Sequence, residues 1–140
     1  ILADPRNPKI KDIINRTIKH REDFRPFAPA VMEEHYKTYF QTNQPSPYMS
    51  RIVPVKSDKI PGVTHIDKTA RIQTVNAEQN EKFYRVIEGF YKSTGIPMVL
   101  NTSFNCREPI VETPEQAINT FNKTALDILV INDKVIRKWI

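Results

Sequence analysis

Glycine is scarce in this chain. There are three, at positions 62, 89 and 95, and none lies in a G-x-x-x-x-G-K or G-x-G-x-x-G pattern. That excludes a glycine-rich loop as a phosphate cradle, so any nucleotide must be gripped by side-chain cations and strand-end polar groups. Cysteine is scarcer still. Cys106 stands alone, which rules out an internal disulfide and agrees with a reducing compartment. Nothing near it in sequence would activate it as a thiolate. His20, His35 and His65 show no ligand spacing, and with one cysteine they cannot assemble a structural zinc site. No metal is therefore expected on this chain. No Ser-His-Asp or Cys-His arrangement stands out. No apolar run approaches the ~20 residues of a membrane span, and Ile1-Leu2-Ala3-Asp4-Pro5-Arg6 lacks the basic-then-apolar pattern of a secretory leader. The chain does not start with Met and is expected to be a cytoplasmic fragment of a longer protein.

What is present suits one domain over residues 1–140. A chain of 140 residues can bury roughly 70% of its unfolded surface without a staple. Its net charge is +5, which favours acidic partners such as phosphates, nucleic acid or an acidic protein; a merely soluble basic surface is the plain alternative.

Asn7-Pro8 reads as a helix start, with Ile10, Ile13, Ile14, Thr17 and Ile18 recurring on one face. Phe24 to Met32 contains Arg25-Pro26 and Ala28-Pro29 and is read as extended, at or near a sheet edge. Gln41 to Ser50 is a polar loop, Arg51 to Lys56 a strand, and Thr69 to Val75 a β-branched strand. A helix is expected from about Glu78, with Phe83, Val86, Ile87, Phe90 and Tyr91 on its apolar stripe and Gly95 stopping it. Ile96 to Leu100 is a short buried strand. Thr113-Pro114-Glu115-Gln116 is a capping box, opening a helix that buries Ala117, Ile118 and Phe121. Two strands follow, Ile128 to Ile131 and Val135 to Trp139, joined by a tight turn at Asn132-Asp133. Interleaved helices and strands make the class α/β with a mixed sheet and flanking helices.

Three stretches carry possible chemistry. Lys19, Arg21 and Arg25 are three cations within Lys19-His20-Arg21-Glu22-Asp23-Phe24-Arg25. They converge if the stretch is strand-like; if it is the last turn of a helix, they complement its dipole. Arg25, between Phe24 and Pro26, is read as held in an apolar neighbourhood, with an anion as partner or with Glu22 or Asp23 serving instead. Asn101-Thr102-Ser103-Phe104-Asn105 ends a buried strand in hydrogen-bonding side chains, suited either to a ligand beyond the sheet or to an ordinary turn. Arg71, between Ala70 and Ile72, faces either a cleft or solvent.

These motifs together resemble a known family. Leu2-Ala3-Asp4-Pro5-Arg6, Phe24-Arg25-Pro26-Phe27-Ala28-Pro29, Thr64-His65-x-Asp67-x-Thr69-Ala70-Arg71-x-Gln73, Asn101-Thr102-Ser103-Phe104-Asn105 and Glu108-Pro109-Ile110-Val111 occur in the order seen in the C-terminal domain of nodulation-type O-carbamoyltransferases. That domain is similar to the YrdC/Sua5 fold, a twisted mixed sheet whose signature Lys-x-Arg…Ser-x-Asn here reads Lys19-His20-Arg21 and Ser103-Phe104-Asn105. The resemblance implies that carbamoyl phosphate is hydrolysed and the carbamate reacts with ATP, with Mg²⁺, to give carbamoyl-adenylate and pyrophosphate. A Kae1/TsaD-like N-terminal domain, carrying an Fe- or Zn-type metal, would pass the carbamoyl group to an acceptor hydroxyl. Carried over, Lys19, Arg25 and Arg71 hold phosphates and the carbamoyl group, Asn101 and Ser103 bind the adenylate, and Arg21 and Asn105 complete the signature. Two departures stand out: Lys68 sits where the family commonly has Gly, and Cys106-Arg107 replaces a glycine-containing turn. Two rival readings are a basic nucleic-acid-binding module and a non-catalytic docking module. Nucleic acid is not expected, because no aromatic residues interleave with the basic ones.

Overall fold

Five strands lie in one mixed sheet, in the order β1-β5-β2-β4-β3. They are β1 (Leu2–Ala3), β2 (Ala28–Met32), β3 (Arg51–Pro54), β4 (Thr69–Val75) and β5 (Met98–Asn101). The structure is a computed structural model and describes residues 1–138. The chain falls into two units, one of Ile1–Lys11 with Pro26–Thr102, the other of Asp12–Arg25 with the chain from Ser103 onward.

The sheet belongs to the first unit. Its β2–β4 pairing is parallel and its other pairings are antiparallel. The fold is thus α/β with an open mixed sheet and flanking helices, as the interleaving predicts. β2 corrects one expectation: it lies at the centre of the sheet, not at an edge, and begins at Ala28 rather than Phe24. Pro29 is tolerated there for a reason of register. The Met32 amide donates to the Pro97 carbonyl on the β5 side. By alternation, the missing N–H of Pro29 faces the β4 side, where pairing begins one residue later, at Ala30 opposite Gln73.

The α-helices are α1 (Ile10–Ile14), α2 (Tyr36–Tyr39), α3 (Glu81–Thr94) and α4 (Pro114–Lys123), and α3 covers one face of this sheet. Asn80 caps it, its side chain accepting from the Phe83 amide at 3.2 Å. Gly95, at φ 75°, ends it in the left-handed region, where glycine carries no Cβ penalty. Ile87 packs with Ala30, Met32, Val75 and Val99, flanked by Phe83, Tyr84, Phe90 and Tyr91. The stripe is centred on Ile87, so Tyr84 takes the place expected for Val86, which is 52% exposed.

In the second unit, α4 (Pro114–Lys123) opens with the predicted capping box. The Thr113 hydroxyl accepts from the Gln116 amide at 3.2 Å, and the Gln116 carboxamide accepts from Thr113 N at 3.3 Å. Ala117 and Phe121 form a core with Leu129, joined by Phe104, Val111, Leu126 and Ile131. Ile118 lies one residue off that stripe and is 40% exposed, not buried as expected. β6 (Ile128–Ile131) and β7 (Lys134–Arg137) form a hairpin. Its turn places Asn132 at φ 52°, a conformation asparagine tolerates well. The final strand therefore starts and stops earlier than expected, and Trp139 lies outside the described residues.

Gly62 is fixed by contact, not by torsion. A Cβ there would meet Ile10 Cγ2 at 2.4 Å and the Pro5 carbonyl at 3.0 Å. Gly62→Ala is expected to lower stability by about 1–3 kcal/mol through overpacking, measurable as a lower urea midpoint with unchanged slope.

Candidate functional site

Helix α1 (Ile10–Ile14) runs directly into a π-helical turn, Asn15–Lys19. In that turn the His20 amide reaches back to the Asn15 carbonyl, and the Arg21 amide reaches the same oxygen at 3.0 Å. The wider turn shifts the inward face. Ile14, Asn15, Ile18 and Lys19 are buried, whereas Ile13 and Thr17, placed on the apolar face by an α-helical period, are exposed. His20 ends the turn at φ 49°, in the left-handed region.

Asn15, with no exposed surface, organises the segment beyond the turn. Its Nδ2 donates to the carbonyls of Asp23 (3.2 Å) and Arg25 (2.9 Å), and its Oδ1 accepts from Arg21 Nε at 2.8 Å. One carboxamide thus folds residues 20–25 into a loop and orients a guanidinium.

Lys19 is 3% exposed. Its Nζ donates to the Ser103 carbonyl at 2.6 Å, Ser103 Oγ at 3.0 Å and Asn105 Oδ1 at 2.8 Å. All three ammonium hydrogens therefore have acceptors, yet none is a carboxylate. Burial, reinforced by Arg21 and further by Arg25, pushes the Lys19 pKa down to about 8, against the opposing pull of Cys106 and Glu108. Burial, then Arg25, also lowers the pKa of Arg21. Three cations, Lys19, Arg21 and Arg25, lie in one locality. They do so from a helical turn and a loop, not from alternate positions of a strand.

The loop that receives Lys19 is fixed from within its own unit. Phe104 is anchored in the α4 core, and the Val111 amide donates to the Phe104 carbonyl at 3.0 Å. Ser103 Oγ donates to Asn105 Oδ1 at 2.7 Å. None of residues 103–108 takes a positive φ, so Cys106-Arg107 does without the glycine that the resemblance leads one to expect. Lys68, by contrast, sits at φ 63°; a glycine at this position would relieve the strain that a lysine carries.

Arg25 departs from its reading as a side chain held in apolar surroundings. It is half exposed, with Glu22 at 3.9 Å, while Asp23 pairs with Arg16.

Arg71 and Asn101 belong to the first unit. The register puts Arg71, Gln73 and Asn101 on the face of the sheet that α3 partly covers. Asn101 Nδ2 donates to Gln73 Oε1 at 3.0 Å. Arg71 is exposed and close enough to His65 to help depress its pKa, although burial is the larger cause. His65 and Asp67 are joined through Thr69: Thr69 Oγ1 lies 3.1 Å from His65 Nδ1 and donates to Asp67 Oδ1 at 2.6 Å. This is the geometry of a braced turn. Beside Gln73 a groove of about 420 Å³ opens among Tyr48, Asn76, Gln79, Asn80 and Phe83. Its carboxamides can both donate and accept, and among the described residues no carboxylate or ammonium lines it.

Sequence reasoning missed Asn15 and the groove, and placed Gln73 in a motif without giving it a role. Asn15 left one signal, its i,i+4 spacing to Lys19, but a helical period assigned that position to the surface. Among the described residues no group of three or more His, Cys, Asp or Glu side chains gathers to hold a metal. No helix there is long and apolar enough to cross a membrane.

The buried polar pair has two measurable consequences. The Lys19 pKa is depressed on folding, so the unfolded chain binds a proton more readily between pH 8 and 10.5. The lysine's cost to stability is therefore full below pH 8 and fades as pH rises towards 10.5. Lys19→Met is expected to be at least as stable as wild type at pH 7, with that relative advantage shrinking by pH 10, as read from urea unfolding at both pH values. Asn15→Ala removes one donor from two carbonyls and one acceptor from Arg21, and is expected to cost about 2–4 kcal/mol.

The family model described as "Carbamoyltransferase C-terminus" matches residues 1–138. The nodulation protein NolNO of Sinorhizobium fredii is 46% identical over 145 aligned residues, covering 99% of this chain and 21% of that protein. The nodulation protein NolO of Bradyrhizobium diazoefficiens is 43% identical, with 99% and 26% covered. An uncharacterised protein of Methanocaldococcus jannaschii is 40% identical, with 100% and 24% covered. The chain thus spans about a fifth to a quarter of the length of these relatives. With the family model matched over residues 1–138 and relatives 40–46% identical along nearly all of the chain, this chain belongs to the carbamoyltransferase C-terminal family.

Proposed function

We propose that this chain is the adenylate-forming part of an O-carbamoyltransferase. In this reading carbamoyl phosphate is first hydrolysed to carbamate and phosphate. A carbamate oxygen then attacks the α-phosphorus of ATP; the new P–O bond forms as the bond to pyrophosphate breaks, and carbamoyl-adenylate results. The observation that carries the reading is the buried Lys19 ammonium held by Ser103 and Asn105 with Arg21 and Arg25 around it. Charge that develops on departing pyrophosphate needs fixed cations that are already desolvated and need not reorganise.

Each residue has a task in this reading. Lys19, Arg25 and Arg71 neutralise phosphate and polarise the carbamoyl group. Ser103 and Asn101 bind the adenylate, with Arg21 and Asn105 holding the frame. Mg²⁺ enters this reading with the phosphates of ATP. Transfer to an acceptor hydroxyl falls to a metal-bearing Kae1/TsaD-like N-terminal domain in the remainder of a longer protein.

Calorimetric titration of ATP, with Mg²⁺ and with or without carbamoyl phosphate, tests the reading. Wild type is expected to release heat of binding. Arg25→Ala and Arg71→Ala are each expected to weaken affinity about tenfold, the loss of one charge-assisted contact. Absence of ATP heat in wild type, or equal heat in all three proteins, sinks the proposal.

A further inference from the structure

Glu108 belongs to none of the roles assigned above, yet the loop that receives Lys19 is built around it. Its Oε1 accepts from the Cys106 amide at 3.2 Å and from the Thr120 hydroxyl of α4 at 2.8 Å. Its Oε2 accepts from the Arg107 amide at 3.1 Å. Its main-chain carbonyl accepts Asn105 Nδ2 at 2.8 Å, and that contact settles which way the Asn105 carboxamide faces. With Nδ2 committed to Glu108, Oδ1 is turned towards Lys19 and the Ser103 hydroxyl. Side chain and main chain of one residue thus clamp the loop at three consecutive positions and tie it to α4.

We propose that Glu108 is a positioning residue for Lys19: its carboxylate holds loop 103–108 in the form that hands Ser103 and Asn105 to the ammonium, and supplies the negative charge that the ammonium's own acceptors lack. The charged and titratable groups facing Lys19 are Arg21 and Arg25 from the segment after the π-helical turn, and Cys106 and Glu108 from the receiving loop. Two of the four are fixed cations, so a carboxylate on the other side keeps the lysine protonated near neutrality. Glu108 is itself held fully ionised: hydrogen bonds from its own amide, from Thr120 and from the Cys106 amide bring its pKa to about 2. The charge it lends Lys19 is therefore constant across the physiological range. The inference deepens the adenylate-forming reading, and rests on it for its functional meaning.

The test needs no nucleotide. In the isotopically labelled chain, the Lys19 ¹³Cε resonance is followed through a pH titration in wild type, Glu108→Gln and Thr120→Val. Removing the carboxylate charge is expected to lower the Lys19 midpoint by about half a unit or more and to shift the Ser103 and Asn105 amide resonances. Thr120→Val keeps the charge but frees one of its anchors, so its midpoint is expected to move the same way by less. An unchanged midpoint in both variants overturns the proposal, whatever the change in stability; should Glu108→Gln not fold, Thr120→Val alone decides. If wild type fails to bind ATP, the adenylate reading falls while the lysine titration still reports on the clamp.

Discussion

An ammonium group taken out of water has to recover its hydration from the protein or lose its proton. Lys19 does some of each. Its three hydrogens find a carbonyl, a hydroxyl and a carboxamide oxygen, and its pKa still drops to about 8. The elements of the second unit follow from that compromise. The π-helical turn carries the lysine inward, the Asn15 carboxamide folds the next residues around it, and the polar stretch after β5 is held in reach by Phe104 and Glu108. A neutral core would be easier to build than one that holds a desolvated cation.

Sequence reading succeeded where local chemistry decides structure. β4 was legible at both ends, because Thr69 to Val75 is β-branched and alternates. The capping box at Thr113 and Gln116 and the glycine stop at Gly95 are short-range devices, and both appear as read. Placement that depends on distant partners was not legible. The central position of β2 turns on where the β4 ladder begins relative to Pro29. The inward rotation of Asn15 depends on one extra residue in a helical turn, which no period of 3.6 anticipates.

The candidate site divides along the same line. Residue types and order pointed to Lys19, Arg21, Ser103 and Asn105, and these four are gathered in one unit through direct contacts or through Asn15. Arg25 stands nearby but is more open than its apolar sequence neighbours suggest. Arg71 and Asn101 lie in the other unit: Asn101 donates to the Gln73 carboxamide, and Arg71 is exposed near His65. The two settings suit different chemistries, charged oxygens in the one and a neutral edge of donors and acceptors in the other.

Lys19 and its acceptors in Ser103 and Asn105 are separated by 84 and 86 positions in the chain. During synthesis the lysine emerges long before anything exists to receive it. Through that interval it remains a hydrated, fully protonated surface group, and the turn that carries it has no reason to settle inward. Closure of the second unit is accordingly a late, non-local event, with the loop-closure entropy such contacts demand. A nascent chain halted before Ser103 lacks the acceptors of the Lys19 ammonium, so the cluster comes into being only as the C-terminal segment arrives.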